Sequence, residues 1–127
     1  RARMGEGALV LLVEDDPNVR KVVARQIVSL GYRVLEAEDV HLALQILTDN
    51  ADVSLVLSDV VMPGNMQGSD LVRRARELRP DLKCILISGY HDAPSGANPV
   101  TALDVPRLTK PIGRAELGAC LADAMGT

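Results

Sequence analysis

Along the 127-residue chain, two kinds of stretch alternate. Short unbroken apolar runs such as ALVLLV (8–13) and CILIS (84–88) read as strands covered on both faces, since a strand with one wet face would alternate. Between them lie longer stretches whose apolar residues recur every three or four positions, the mark of one helical face. Strands are expected at 8–13, 33–37, 54–58, 84–88 and 105–109. After the first, Asp16 suits a helix N-cap, Pro17 the first helical position and Gly31 the position after the end. Val19, Val22, Val23, Ile27 and Leu30 form that helix's apolar face. A second helix runs from Asp39 to about Thr48 with Val40, Ala43, Leu44 and Leu47 in one stripe. A third is capped by Ser69, carries Leu71, Val72, Ala75 and Leu78, and stops near Pro80, because a residue before proline disfavours helical geometry. Residues 92–102 come next in the alternation, but two prolines and a glycine leave only a short or irregular fourth helix. The last helix starts near Gly113 and gathers Leu117, Cys120, Leu121 and Ala124.

Five strand–helix units in succession imply an α/β domain. Its parallel sheet has right-handed crossovers and is covered on both faces, giving a three-layer sandwich. One domain is expected over residues 8–126, with 1–7 a linker remnant. In such sheets ligands sit beyond the carboxyl ends of the strands. Polar residues gather at those ends: Glu14, Asp15 and Asp16 after strand one, Asp59 after strand three, Ser88 at the end of strand four, and Lys110 after strand five. Each has an ordinary reading by itself, and Asp16 is better taken as a cap than as a ligand. Their shared edge argues for a site.

Charge sharpens this. Two carboxylates about 4 Å apart repel by roughly 4 kcal/mol at an effective dielectric near 20. Glu14, Asp15 and Asp59 therefore need a compensating cation or must hold protons, and the one positive charge of Lys110 is too little for three negatives. A hard divalent ion with oxygen ligands, Mg²⁺, supplies the rest. An acidic magnesium site with a lysine and a hydroxyl beside it suits a phosphoryl group.

Composition removes other classes. Two Tyr, no Phe and no Trp leave an aliphatic core and no base-stacking surface. A net charge of −3 argues against direct contact with nucleic acid. No apolar run reaches membrane-spanning length. Cys84 and Cys120 lack metal-ligand spacing and read as reduced, buried thiols of a cytoplasmic protein.

In order and spacing, VEDDP, LSDVVMP, ISG and TKP resemble the receiver domain of bacterial two-component response regulators, from Leu9 to about Ala124. The resemblance implies a flavodoxin-like fold with strand order 2-1-3-4-5. It implies Asp59 as phosphoacceptor, loaded by a sensor histidine kinase or a histidine phosphotransfer protein. Asp15 would bind Mg²⁺ directly, Glu14 through water, with Asp59 and the main-chain carbonyl of Val61 completing the set. Ser88 would be the switch hydroxyl, Lys110 the lysine pairing with the phosphoryl oxygens, and Pro111 its neighbour. The job implied is switching rather than turnover of a separate substrate, with output in a partner or in a segment outside this chain, and with homodimerisation through the last helix as a lesser expectation.

Departures from the family pattern carry their own implications. Arg107 stands where an aromatic switch residue is usual, and Ile112 where Phe commonly follows Lys-Pro, which argues against aromatic-rotamer switching. The GNMQGS loop is a residue longer than the commonest form and resembles receivers attached to hybrid sensor kinases. Val61 and Tyr90, two residues beyond Asp59 and Ser88, are expected to flank the phosphoryl group and slow its hydrolysis. Arg73, Arg74, Arg76 and Arg79 read as a solvated helix face ahead of a partner surface. Rival classes fit poorly. A haloacid-dehalogenase-type phosphatase needs a second acid where Val61 stands. A flavin carrier would not put three carboxylates in its first loop, and a dinucleotide enzyme needs a glycine-rich first turn. A degenerate receiver, binding partners without phosphorylation, is the remaining alternative.

Overall fold

The computed structural model describes residues 8–60, 68–88, 107–109 and 112–124; for Ser69, Ser88, Arg107 and Thr109 it describes the backbone. Five strands, β1 (Leu9–Val13), β2 (Arg33–Ala37), β3 (Val53–Asp59), β4 (Lys83–Ser88) and β5 (Arg107–Thr109), form one parallel sheet in the order β2-β1-β3-β4-β5. The described helices are α1 (Pro17–Ser29), α2 (Val40–Asp49), α3 (Gly68–Leu78) and α4 (Arg114–Ala124). The expected weak helix at 92–102 lies outside the described residues.

The period-2 rule of a strand divides the core in two. Leu9, Leu11 and Val13 of β1, Val56 of β3, and Cys84 and Leu86 of β4 face α2 and α3, meeting Val40, Ala43, Leu47, Leu71, Val72 and Ala75. Val10, Leu12, Leu55, Leu57, Ile85 and Ile87 face the other way, onto Val23, Ala24 and Ile27 of α1 and Leu117 and Leu121 of α4. The continuous apolar runs are therefore buried on both sides, as a central parallel strand requires.

The helix starts follow capping chemistry. Asp16 Oδ1 accepts from the amides of Asn18 at 2.9 Å and Val19 at 3.3 Å, and Pro17 opens α1. Asp39 accepts from Leu42 N–H at 2.8 Å. After α1, Gly31 takes φ of 96°, a left-handed conformation suited to glycine.

Several boundaries and faces differ from the sequence reading. β3 does not stop at Ser58: Asp59 pairs in register with Ile87 and is its last residue. Helix α3 begins at Gly68, one residue before the expected cap, so Ser69 lies inside it. Gly68 N–H bonds to Val60 O at 2.9 Å, which ties the start of α3 to the chain just after β3. Val22 is 55% exposed, because the buried face of α1 turns toward Ala24. Leu78 is 54% exposed at the end of α3, and the core contact there is made by Leu82, brought back by its N–H bond to Arg79 O at 3.0 Å.

Candidate functional site

The carboxyl ends of β1 and β3 are adjacent because these strands are neighbours, with Val13 paired to Ser58. Glu14 and Asp15 leave β1 just as Asp59 ends β3. Carboxylate oxygens of Glu14, Asp15 and Asp59 consequently lie within 4.8 Å of one another. Two of the three are buried, Glu14 at 1% and Asp59 at 4% exposure, while Asp15 is exposed. The trio is closed by the sheet on one side and open to water on the other.

Glu14 and Asp59 are anchored by main-chain bonds. Glu14 N–H donates to Ala37 O at 3.0 Å, extending the β1–β2 ladder past the strand end. Its Oε2 accepts from Asp16 N–H at 3.2 Å, and its carbonyl accepts from Arg20 Nη1 at 2.8 Å. Asp59 is followed by Val60, whose N–H donates to Ile87 O at 2.8 Å and whose carbonyl accepts from Gly68 N–H at 2.9 Å. The Ser58 hydroxyl donates to Asp59 O at 2.9 Å. Rigid main chain of this kind lets like charges remain close, because the side chains cannot retreat by moving the backbone.

The set fits a hard divalent ion. Its donors are all carboxylate oxygens, and one flank is open for water, which Mg²⁺ gives up reluctantly. Ligands on opposite sides of an octahedral Mg²⁺ stand about 4.2 Å apart, so the observed spacing needs little contraction.

Of the residues expected at the site, the structure brings together Glu14, Asp15 and Asp59. Asp16 caps α1, as the sequence indicates. The Ser88 backbone ends β4, one residue beyond the partner of Asp59, and pairs with Thr109. Val61, Tyr90, Lys110 and Pro111 lie outside the described residues. Sequence reasoning missed Arg20 and Glu36, and took Gly68 only as a loop breaker. For Arg20 a signal existed: side chains on a helix lean toward its N-terminus, so a cation in the first turn of α1 reaches the preceding carbonyls.

The thiols lie away from the acids. Cys84 is buried on β4, and burial pushes it up from 9.0 to about 11, against a smaller lowering by Arg76. Cys120 on α4 is also raised, by burial and then by Asp123.

The fold and site together define a doubly wound α/β domain with an acidic cluster at the carboxyl edge of its sheet. Residues 10–122 match the family profile of the response regulator receiver domain, and the chain belongs to that family. It is 37% identical over 119 residues to the sensor kinase CckA of Brucella abortus, covering 93% of this chain and 12% of that protein. It is 36% identical over 105 residues to the response regulator receiver protein CpdR of the same organism, covering 83% of this chain and 82% of CpdR. Among solved structures, the receiver domain of the hybrid histidine kinase CckA superposes with a TM-score of 0.76 at 32% identity, over 92% of this chain and 98% of that one. TrrA of Thermotoga maritima, solved in complex with Mg(2+)-BeF, shares the fold with a TM-score of 0.79 at 24% identity, over 91% and 97%.

The chain is thus a receiver domain of two-component signalling, a phosphoacceptor switch and a signalling domain in kind. Receiver domains of this kind are linked to histidine kinases or to regulators. Among the described residues, no helix is long and apolar enough to cross a membrane.

Proposed function

We propose that Asp59 is the phosphoacceptor and that Mg²⁺ is held by Glu14, Asp15, Asp59 and the Val61 carbonyl. The single observation that carries this reading is the buried Asp59 carboxylate within 4.8 Å of two other acids at the sheet edge. In the reaction, an Asp59 oxygen forms a bond to phosphorus as the bond to a histidine nitrogen of the donor breaks, and the imidazole leaves. The donor is a sensor histidine kinase or a histidine phosphotransfer protein. Bound Mg²⁺ supplies charge neutralisation for the phosphoryl oxygens.

This chain's own residues supply the placement. β3 delivers the Asp59 carboxylate to the edge, Val60 is clamped between Ile87 and Gly68, and Glu14 is fixed through Ala37 and Arg20. Ser88 and Lys110 serve the phosphoryl group as hydroxyl donor and counter-charge. The phosphorylated form adds about −1.5 to −2 of charge, judged from other phospho-residues, enough to bias a two-state loop. The unit of function is residues 8–126, working in the cytoplasm. Output is passed to a partner or to a domain outside this chain, in a context resembling a hybrid kinase.

The test is incubation with Mg²⁺ and acetyl phosphate followed by intact mass measurement. Wild type gains one phosphoryl group and Asp59→Asn gains none. A gain retained in the variant moves the acceptor elsewhere, and no gain in wild type beside a working receiver control removes active phosphoacceptance.

A further inference from the structure

Arg20 is the side chain that the fold ties to the acidic turn without making it part of the acidic set. Its Nη1 donates to the Glu14 carbonyl at 2.8 Å, while its Nε reaches Glu36 Oε1 of β2 at 3.3 Å. The side chain is only 19% exposed. Its backbone N–H makes the first bond of α1, to Asp16 O at 2.9 Å. One residue therefore links the turn, the helix that follows it and the neighbouring edge strand.

The Glu14 carbonyl belongs to the same peptide plane as the Asp15 N–H. Holding that oxygen fixes the plane, and with it the direction in which Asp15 leaves the backbone. Glu14 is already held on its other side by Ala37. Asp15, the exposed member of the trio, is the acid whose placement depends most on this plane. A guanidinium makes the clamp well because its planar fork can serve two acceptors at once, and a bond from a charged donor is stronger than a neutral one.

We infer that Arg20 is a positioning residue for divalent-ion binding: by pinning the Glu14–Asp15 peptide plane against β2, it holds the Asp15 carboxylate in place beside Glu14 and Asp59. This rests on the proposed Mg²⁺ site. It also makes a prediction opposite in sign to simple electrostatics. Removing a cation beside three carboxylates should by Coulomb's law alone tighten Mg²⁺ binding. Removing a clamp should weaken it, on the order of tenfold, as for other groups that orient metal ligands.

Mg²⁺ affinity of the whole chain is measured by titration calorimetry for wild type, Arg20→Ala, Arg20→Lys and Asp15→Asn, with circular dichroism to report folding. Arg20→Ala is expected to bind about tenfold more weakly. Its phosphorylation by acetyl phosphate should recover toward the wild-type rate at saturating Mg²⁺, a shift in metal requirement without loss of maximal rate. Arg20→Lys, which keeps the charge but not the fork, should fall between. Unchanged or tighter binding in Arg20→Ala overturns the inference while Asp15→Asn still weakens. If Arg20→Ala does not fold, Arg20→Lys decides, and wild-type affinity in it overturns the inference. If Asp15→Asn leaves binding untouched, the metal site itself fails and the role of Arg20 falls with it.

Discussion

Gly68 abuts Asp59: a Cβ built at position 68 would overlap the Asp59 carbonyl oxygen and stand 3.0 Å from Val60 Cα. The start of α3 is thereby pressed onto the backbone that presents the acid, with Gly68 N–H bonded to Val60 O. Substituting Gly68→Ala would favour an isolated helix by up to about 1 kcal/mol. Here the contact is backbone against backbone, and neither side can yield cheaply. The expected outcome is a net loss of about 1–3 kcal/mol in urea unfolding, together with slower phosphorylation as Asp59 is displaced. A neutral or stabilising substitution would show that the approach relaxes freely.

Asp59 also sets the electrostatics of the edge. With two other carboxylates inside 4.8 Å, its charge is repelled in metal-free buffer. Asp59→Asn should raise the urea midpoint in low salt with chelator, on the order of 1 kcal/mol. Added Mg²⁺ should narrow the gap by binding the folded wild type, which gains about 2.7 kcal/mol at a hundred times Kd. Equal stability of the two proteins in chelator would mean that the repulsion is already compensated within the fold.

Asp16 is a helix cap, and its effect should separate from the chemistry. Its carboxylate accepts from Asn18 and Val19, and it stands apart from the cluster of Glu14, Asp15 and Asp59. Asp16→Ala should cost about 1 kcal/mol of stability. Phosphoryl uptake at saturating Mg²⁺ should persist. Loss of uptake in a folded variant would give Asp16 a part in the site.

What the chain's order of residues made legible were local or strictly periodic features. The cap at Asp16 and the turn at Gly31 rest on bonds within a few positions. The meeting of Glu14, Asp15 and Asp59 followed from strand ends in a parallel sheet. What stayed hidden depended on distances between separate elements. Gly68 reads as a breaker until α3 is seen against β3, and the Glu36 partner of Arg20 comes into view only when β2 is placed beside α1. Val22 misled because it sits about 100° round the helix from Val23, on the side away from Ala24, and periodicity alone does not settle a stripe's centre.

Cys84 offers a pH signature unrelated to phosphorylation. The thiol is 4% exposed, and burial raises it from 9.0 to about 11. Between these values the unfolded chain loses the proton while the folded chain keeps it. The resulting stability is fully present below pH 9 and is lost as pH rises through about 11. A two-unit shift corresponds to about 2–3 kcal/mol. Because burial raises Tyr32 and Cys120 as well, the useful quantity is the difference between wild type and Cys84→Ala. That variant loses packing at every pH, so its deficit should be constant below pH 9 and shrink above it. Alkylation gives an independent reading: at pH 8 the half-buried Cys120 should react well before Cys84. A deficit that stays flat from pH 8 to 11, or equal alkylation rates, would show that Cys84 titrates as an ordinary thiol.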